Sequence, residues 1–290
     1  MYNTELGAVV GLSRKELSLS QIEELGYYDF MAYLQVPFFN IGGTPSLDLL
    51  AERCKIDENS HVLDVGCGTG GNACHIAEKY GCKVTGIDIA EHMIEQANIR
   101  AQELGLSNRV SFEVADAYNL KYPEGTFDSV ITVFVSQFLD IETAFLEFKR
   151  VLKKGGYLGV NEMFKADKIP AEAKDKVDYG EKVYKELTEL PFSIRTPSEW
   201  ESGFIKSGYE DINIETKTEY LTPSRSLEFI NELGGLLLLF SLLWRVVRIG
   251  LRSSKIRARY VKMSRGKRVL LNDPISSKYI GYVIGGGRKP

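Results

Sequence analysis

The spacing of apolar residues changes period repeatedly along the chain, and each change marks an element. His61–Val65, Lys83–Asp88, Val110–Val114 and residues 127–134 are short, nearly continuous apolar runs bounded by turn residues. That is the pattern of strands buried on both faces of a sheet. Between and after them, apolar residues recur at three- and four-residue steps up to Tyr80, over 91–104 and over 142–152, as on amphipathic helices. A helix with a Ser or Thr cap is expected from Pro45 onward, and a fifth strand over 157–162 follows the turn KKGG at 153–156. Strands alternating with helices of this length predict βαβ units on a parallel sheet.

The pattern loosens on both flanks. Residues 1–45 mix a polar helical pattern with aromatics, among them Tyr27, Tyr28, Tyr33, Phe38 and Phe39, and end in the turn signal NIGGTP. After Phe164, residues 165–190 are charged and helical in pattern, and Thr196-Pro-Ser-Glu199 is a capped helix start. Residues 209–218 alternate as a strand, 227–263 read as one or two helices, and 279–284 form a last strand before a glycine-rich tail. The expected organisation is therefore an N-terminal helical segment (1–45), a core (46–165), and closing strands (166–290) with helical insertions at about 166–200 and 223–268.

Composition narrows the class. Of 290 residues 44% are hydrophobic and 26% charged, which excludes a mainly disordered chain. The net charge of −3 hides an asymmetry: residues 245–268 carry ten Lys or Arg and no acid, leaving 26 basic against 39 acidic residues elsewhere. Cys54, Cys67, Cys74 and Cys82 form no C-x-x-C pair, and no Cys/His spacing matches a zinc signature. No metal is expected, and free thiols fit a reducing, cytoplasmic compartment. The N-terminus lacks a secretory pattern, and the most apolar stretch, 236–244, is far short of a bilayer span.

The chemistry concentrates in DVGCGTGG (64–71), set between a predicted strand and a predicted helix. Glycines there let backbone approach a ligand closely, and the helix start offers free N–H groups to an anionic moiety. By itself this turn also satisfies the dinucleotide pattern G-x-G-x-x-G through Gly66, Gly68 and Gly71, so an NAD-dependent oxidoreductase remains open. Asp88 ends the next strand, where a carboxylate accepts from two ribose hydroxyls. Asp116 follows the third strand; alone it reads equally well as a loop cap.

Taken together, VLDVGCGTG (62–70), GIDI (86–89), ADA (115–117), FDSV (127–130) and RVLKKGG (150–156) resemble a class I S-adenosylmethionine-dependent methyltransferase. The resemblance is to the small-molecule group that includes ubiquinone and menaquinone biosynthesis enzymes, and it covers roughly 46–165. It implies an α/β fold: a doubly wound, mostly parallel seven-stranded sheet with an N-terminal helical lid. It further implies S-adenosylmethionine as cofactor, with Gly66, Gly68 and Gly70 bordering its methionine part and Asp64 near its amino group. Asp88 would hold the ribose, Ile89 would pack on the adenine, and Asp116 and Ala117 would meet the adenine edge. Cys67 and Val133 complete the expected cofactor contacts.

Methyl transfer is an in-line displacement that needs alignment in a dry cavity more than an elaborate set of catalytic groups, and no strong base constellation is present. Tyr27, Tyr28 and Gln137 are the candidates for substrate or sulfonium contact; Ser136 shares Gln137's position. An aromatic face can stabilise a sulfonium, and equally the tyrosines can pack a helix on the core. The loop VFVSQF (133–138) lacks the Asp/Asn-Pro-Pro-Tyr/Phe signature of nucleobase methylation, so no nucleic-acid partner is expected. His75 and His92 read as helix residues without catalytic duty. Arg245, Arg248, Arg252, Lys255, Arg259 and Lys262 fall on one helical stripe, with Val246, Ile249, Ile256 and Tyr260 on another. Residues 236–268 therefore offer a peripheral membrane contact, a homodimer face, or a solvated face. The expected function is methyl transfer to a small, hydrophobic or lipid-like acceptor; a non-catalytic cofactor-binding protein working through the basic helix is the remaining alternative.

Overall fold

A computed structural model of the chain describes residues 17–34, 42–218 and 235–290. Phe38, Phe39 and part of the turn that follows lie outside the described residues, as does the start of the expected helix at 227.

Seven strands form one sheet: β1 (His61–Val65), β2 (Lys83–Asp88), β3 (Val110–Val114), β4 (Phe127–Val133), β5 (Leu152–Lys165), β6 (Glu210–Lys217) and β7 (Ile280–Arg288), in the order β3-β2-β1-β4-β5-β7-β6. The first five run parallel, and β7 lies antiparallel between β5 and β6. Strands β1 and β4 are buried almost throughout, as their unbroken apolar runs require. From β1 the chain order runs outward in both directions, to β2 on one side and β4 on the other. In a doubly wound sheet the ligand crevice opens there, beyond the strands' carboxyl ends.

Helices cover both faces. α3 (Gly43–Arg53), α4 (Gly71–Tyr80) and α5 (Glu91–Glu103) contribute Leu47, Leu50, Ile76 and Ala97 to one core layer. α6 (Ile141–Val151) and α8 (Pro197–Lys206) pack Phe145, Phe148, Trp200 and Phe204 on the other. α6 starts where Asp140 accepts from Thr143 N–H at 3.1 Å, and α8 opens on a capping box between Thr196 and Glu199. The remaining α-helices among the described residues are α1 (Leu19–Glu24), α2 (Tyr27–Leu34), α7 (Ala171–Thr188), α9 (Gly235–Arg252) and α10 (Ser254–Lys267). α2 lies against α5, and α9 and α10 back it: Met31 and Phe30 share a cluster with Ile249 and Ile256.

Expectations change at several points: α3 begins at Gly43 without a side-chain cap, and β5 starts at Leu152, so the expected turn at 153–156 lies within the strand. The glycine tail is strand: β7 runs through Gly285, Gly286 and Gly287, because its neighbours come too close for side chains. A Cβ on Gly285 would meet Ile214 at 2.7 Å, and one on Gly287 would meet Tyr209 at 2.8 Å. The continuous basic stripe is also divided. Ser253 caps α10 by accepting from Ile256 N–H at 3.1 Å, which breaks the helical run into two helices. All four cysteines are free and buried, and no described helix is long and apolar enough to cross a membrane.

Candidate functional site

At the end of β1 the chain turns back over β2: Gly66 and Cys67 N–H both donate to the Ile87 carbonyl, at 2.7 and 2.9 Å. Gly66, Gly68 and Gly70 have φ of +70°, +54° and +78°. At Gly66 the need for glycine is also steric, since a Cβ would lie 2.3 Å from Val135. Gly68 differs, because a Cβ there would meet nothing within 4 Å. Backbone at this position borders open space, as a turn that receives a ligand must. Arg100, buried on α5, supports the turn from behind by donating to the Thr69 carbonyl at 2.8 Å. Cys67 is buried, and burial holds its thiol well above the usual range, so it is packing and not a nucleophile.

Two carboxylates serve this turn in different ways. Asp88 accepts from Gly68 N–H at 3.0 Å and from Ala90 N–H at 2.9 Å, joining the turn to the start of α5. Burial raises its pKa despite those bonds. The Ile89 N–H also donates to this carboxylate, which leaves acceptor capacity for a hydroxyl. Asp64 is fully buried on β1, and its Oδ2 has no hydrogen-bond partner among the described residues. Burial, with Asp88 nearby, pushes its pKa up to about 7. An orphaned buried oxygen of this kind fits a cationic ammonium. Ile89 stands 65% exposed beside Asp88, an apolar wall in water suited to a purine face. Asp116 is exposed and Oδ1 accepts from Tyr118 N–H at 2.9 Å, closing its own turn, while Ala117 is half-buried beneath it.

Across the crevice, Val133 ends β4 and Phe134 follows at φ +60°, a costly conformation for a phenylalanine. Glu162 holds the loop in place: its Oε1 accepts from Val135 and Ser136 N–H at 2.9 and 2.7 Å. Its Oε2 has no hydrogen-bond partner among the described residues, and burial raises its pKa to about 7. This residue was missed in the sequence, where its one signal is an acid inside an apolar strand. Gln137 is buried and structural: Oε1 accepts from Met163 N–H at 3.2 Å, and Nε2 donates to the Phe134 carbonyl at 3.5 Å. Both ends of its side-chain amide are directed at backbone. Ser136, also buried, pairs with Thr132 at 2.8 Å.

The two tyrosines meet edge to face, with ring centres 5.2 Å apart, and differ in their further partners. Tyr27 donates to Met263 Sδ at 3.7 Å, toward α10. Tyr28 packs edge-on against Phe138 with ring centres 5.8 Å apart. Burial raises the Tyr28 phenol well above its usual range, reinforced by Tyr27 and by the carboxylates of Asp88 and Glu162. Phe138, Phe192 and Tyr184 extend the aromatic wall, at 5.1 Å between successive rings. His75 and His92 are structural partners of Asp48 (2.9 Å) and Asp29 (3.2 Å). A groove of about 670 Å³ between α7 and α10 is lined by none of these crevice residues.

The family described as "Methyltransferase domain" matches residues 56–217, a span that takes in the glycine turn, both acids and the loop after β4. The chain belongs to that family. It is a class I, S-adenosylmethionine-dependent methyltransferase domain, and the dinucleotide reading of the turn falls away. The chain is 31% identical over 150 residues to sterol 4-C-methyltransferase strm-1 of Caenorhabditis elegans, covering 51% of this chain and 42% of that protein. It is 31% identical over 178 residues to the 27-O-demethylrifamycin SV methyltransferase of Amycolatopsis mediterranei (strain S699), covering 61% and 64%. The matched region thus spans less than two thirds of either relative's own length. In fold, the chain is similar to the [4+2]-cyclase SpnF, with a TM-score of 0.67, 24% identity, and coverage of 96% and 99%.

Proposed function

We propose that this methyltransferase domain moves the methyl group of S-adenosylmethionine to a small, hydrophobic, lipid-like acceptor by in-line displacement. The acceptor's nucleophilic atom forms a bond to the methyl carbon as the carbon–sulfur bond breaks, and S-adenosylhomocysteine leaves with the electron pair. The observation that carries the reading is the unpaired buried oxygen of Asp64 beneath a glycine turn with open space at Gly68, beside Asp88. On the acceptor side, support comes from the aromatic wall of Tyr28, Phe138, Phe192 and Tyr184, and from the names of the sterol and rifamycin relatives. In this reading residues 1–45 act as a lid over the 46–165 core, and the insertions near 166–200 and 223–268 cap the acceptor. The chain's own residues orient the reactants and exclude water, which accounts for most of what alignment contributes, about 7–11 kcal/mol.

Incubating the protein with methyl-labelled S-adenosylmethionine and separate lipid, polar-metabolite and RNA fractions tests the acceptor class. Label is expected in the lipid fraction, and label only in polar metabolites or RNA contradicts the proposal. Asp88→Ala is expected to weaken cofactor binding by calorimetry about a hundredfold, since two charge-assisted hydrogen bonds contribute about 1.5–3 kcal/mol each before partial compensation by water. Unchanged affinity removes Asp88 from the ribose site. Tyr28→Ala is expected to lower kcat/KM at least tenfold, while Tyr27→Phe, which removes the hydroxyl that donates to Met263 Sδ, leaves it near wild type. Wild-type kinetics in Tyr28→Ala would take that residue out of the crevice.

A further inference from the structure

The outer face of α9 has a composition that a water-facing surface does not need. Leu236, Phe240, Leu243, Trp244, Val247 and Leu251 are 45–74% exposed, and their spacing places them on one arc of the helix. Isolated exposed apolar residues are ordinary; six on a single arc mark an interaction face. The opposite side of α9 is anchored. Val246 and Ile249 pack into the cluster formed with α2, and Arg245 donates to the Leu34 carbonyl at 3.2 Å.

Charge identifies the occupant. No Asp or Glu lies between Glu232 and Asp273, although ten Lys and Arg do. Five of those ten have partners among the described residues. Besides Arg245, Lys255 pairs with Glu24 at 2.8 Å, Arg259 donates to the Leu25 carbonyl at 2.7 Å, Lys262 pairs with Glu186 at 2.6 Å, and Arg257 donates to the Gly250 carbonyl at 2.9 Å. Arg248 and Arg252 are exposed along one border of the apolar arc, and neither has an acidic partner among the described residues. An apolar arc edged by unpaired cations matches the boundary between acyl chains and anionic headgroups.

We propose that α9 lies on an anionic lipid surface, with its six apolar side chains below the headgroups and Arg248 and Arg252 at the phosphates. The inference stands on α9 alone and holds whichever acceptor is methylated. It has a consequence for the site: the lid helices α1 and α2 are fastened to α9 and α10 by Arg245, Lys255, Arg259 and the Tyr27–Met263 contact. Seating α9 on a bilayer therefore brings the lid to the surface as well.

The chain's two tryptophans make the test direct, because Trp200 is fully buried and Trp244 is 66% exposed. Adding vesicles of phosphatidylcholine with phosphatidylglycerol to the full chain is expected to shift Trp244 emission to the blue and to pellet the protein. Vesicles of phosphatidylcholine alone should do so at least tenfold less, and added salt should weaken the anionic case. Arg248→Glu/Arg252→Glu should lose the salt-sensitive part, and Phe240→Ser/Leu251→Ser should lose most pelleting while keeping the wild-type melting temperature. Absence of a blue shift and of pelleting in wild-type protein overturns the proposal. So does a lipid-independent dimer that Phe240→Ser/Leu251→Ser dissolves, which would assign the arc to a second copy of the chain.

Discussion

Gly66→Ala is expected to abolish cofactor binding while leaving the sheet folded. A residue with a Cβ at φ +70° costs about 1–2 kcal/mol. The new methyl would also stand 2.3 Å from Val135, and overpacking of this kind costs about 1–3 kcal/mol more. Relief requires the turn or the 134–138 loop to move, and both border the crevice. The apparent dissociation constant should therefore rise at least a hundredfold in calorimetry, with a smaller fall in melting temperature. Gly66→Ala/Val135→Ala separates the causes: it should recover the steric share and retain the backbone share. Gly68→Ala is the complementary case. Its Cβ meets no protein atom within 4 Å, so stability should fall only by the backbone cost, yet affinity should still collapse because the methyl enters the open space. Normal affinity in both variants would place the cofactor elsewhere.

Asp64→Asn is expected to change how both stability and binding depend on pH. Asp64 titrates near 7 in the folded chain against 3.8 as its ordinary value. Between those values the folded state holds a proton that the unfolded state has released. Its contribution is therefore fully present below about pH 4, declines as pH rises to about 7, and is flat above. Full linkage would be on the order of 4 kcal/mol, at about 1.36 kcal/mol for each tenfold. Asp88 and Glu162 are raised as well, so wild-type protein shows the summed slope, and the Asn variant should lose only the share of Asp64. Binding has the opposite sign. A cofactor ammonium selects the ionised carboxylate, so wild-type affinity should fall about tenfold per pH unit below 7, with proton release visible in buffers of different ionisation enthalpy. The Asn variant should bind more weakly at pH 8 and with little pH dependence. A flat wild-type profile from pH 5 to 8 would remove Asp64 from contact with the ammonium.

What could be read in the chain and what could not follow from how local each signal is. The glycine turn, the acid ending β2 and the order of strands and helices up to β5 are written in contiguous residues, because a strand buried on both faces must be apolar throughout and a tight turn must use glycine. β7 was foreseen only to 284, because glycines at 285–287 look like a tail until Ile214, Phe204 and Tyr209 are seen pressing on them. Gln137 looked like a free polar group in a loop, and it is occupied because the backbone of β5 passes beside it. Glu162 went unnoticed because its partners, Val135 and Ser136 N–H, are 27 and 26 residues away.

The two stripes of residues 236–268 show the division most clearly. Helical periodicity alone established that apolar and basic residues occupy separate faces, since that follows from the turn of the helix. It could not say which face meets the protein. That was decided by the carbonyls of Leu25 and Leu34 and the carboxylates of Glu24 and Glu186, which draw four of the basic side chains inward and leave Trp244 and Leu251 in water. The sequence by itself determined the cofactor turn and the elements around it; the tertiary structure alone gave Tyr27 and Tyr28 different partners and turned the apolar arc outward. The reason is that a side chain's environment is set by whichever distant backbone arrives beside it.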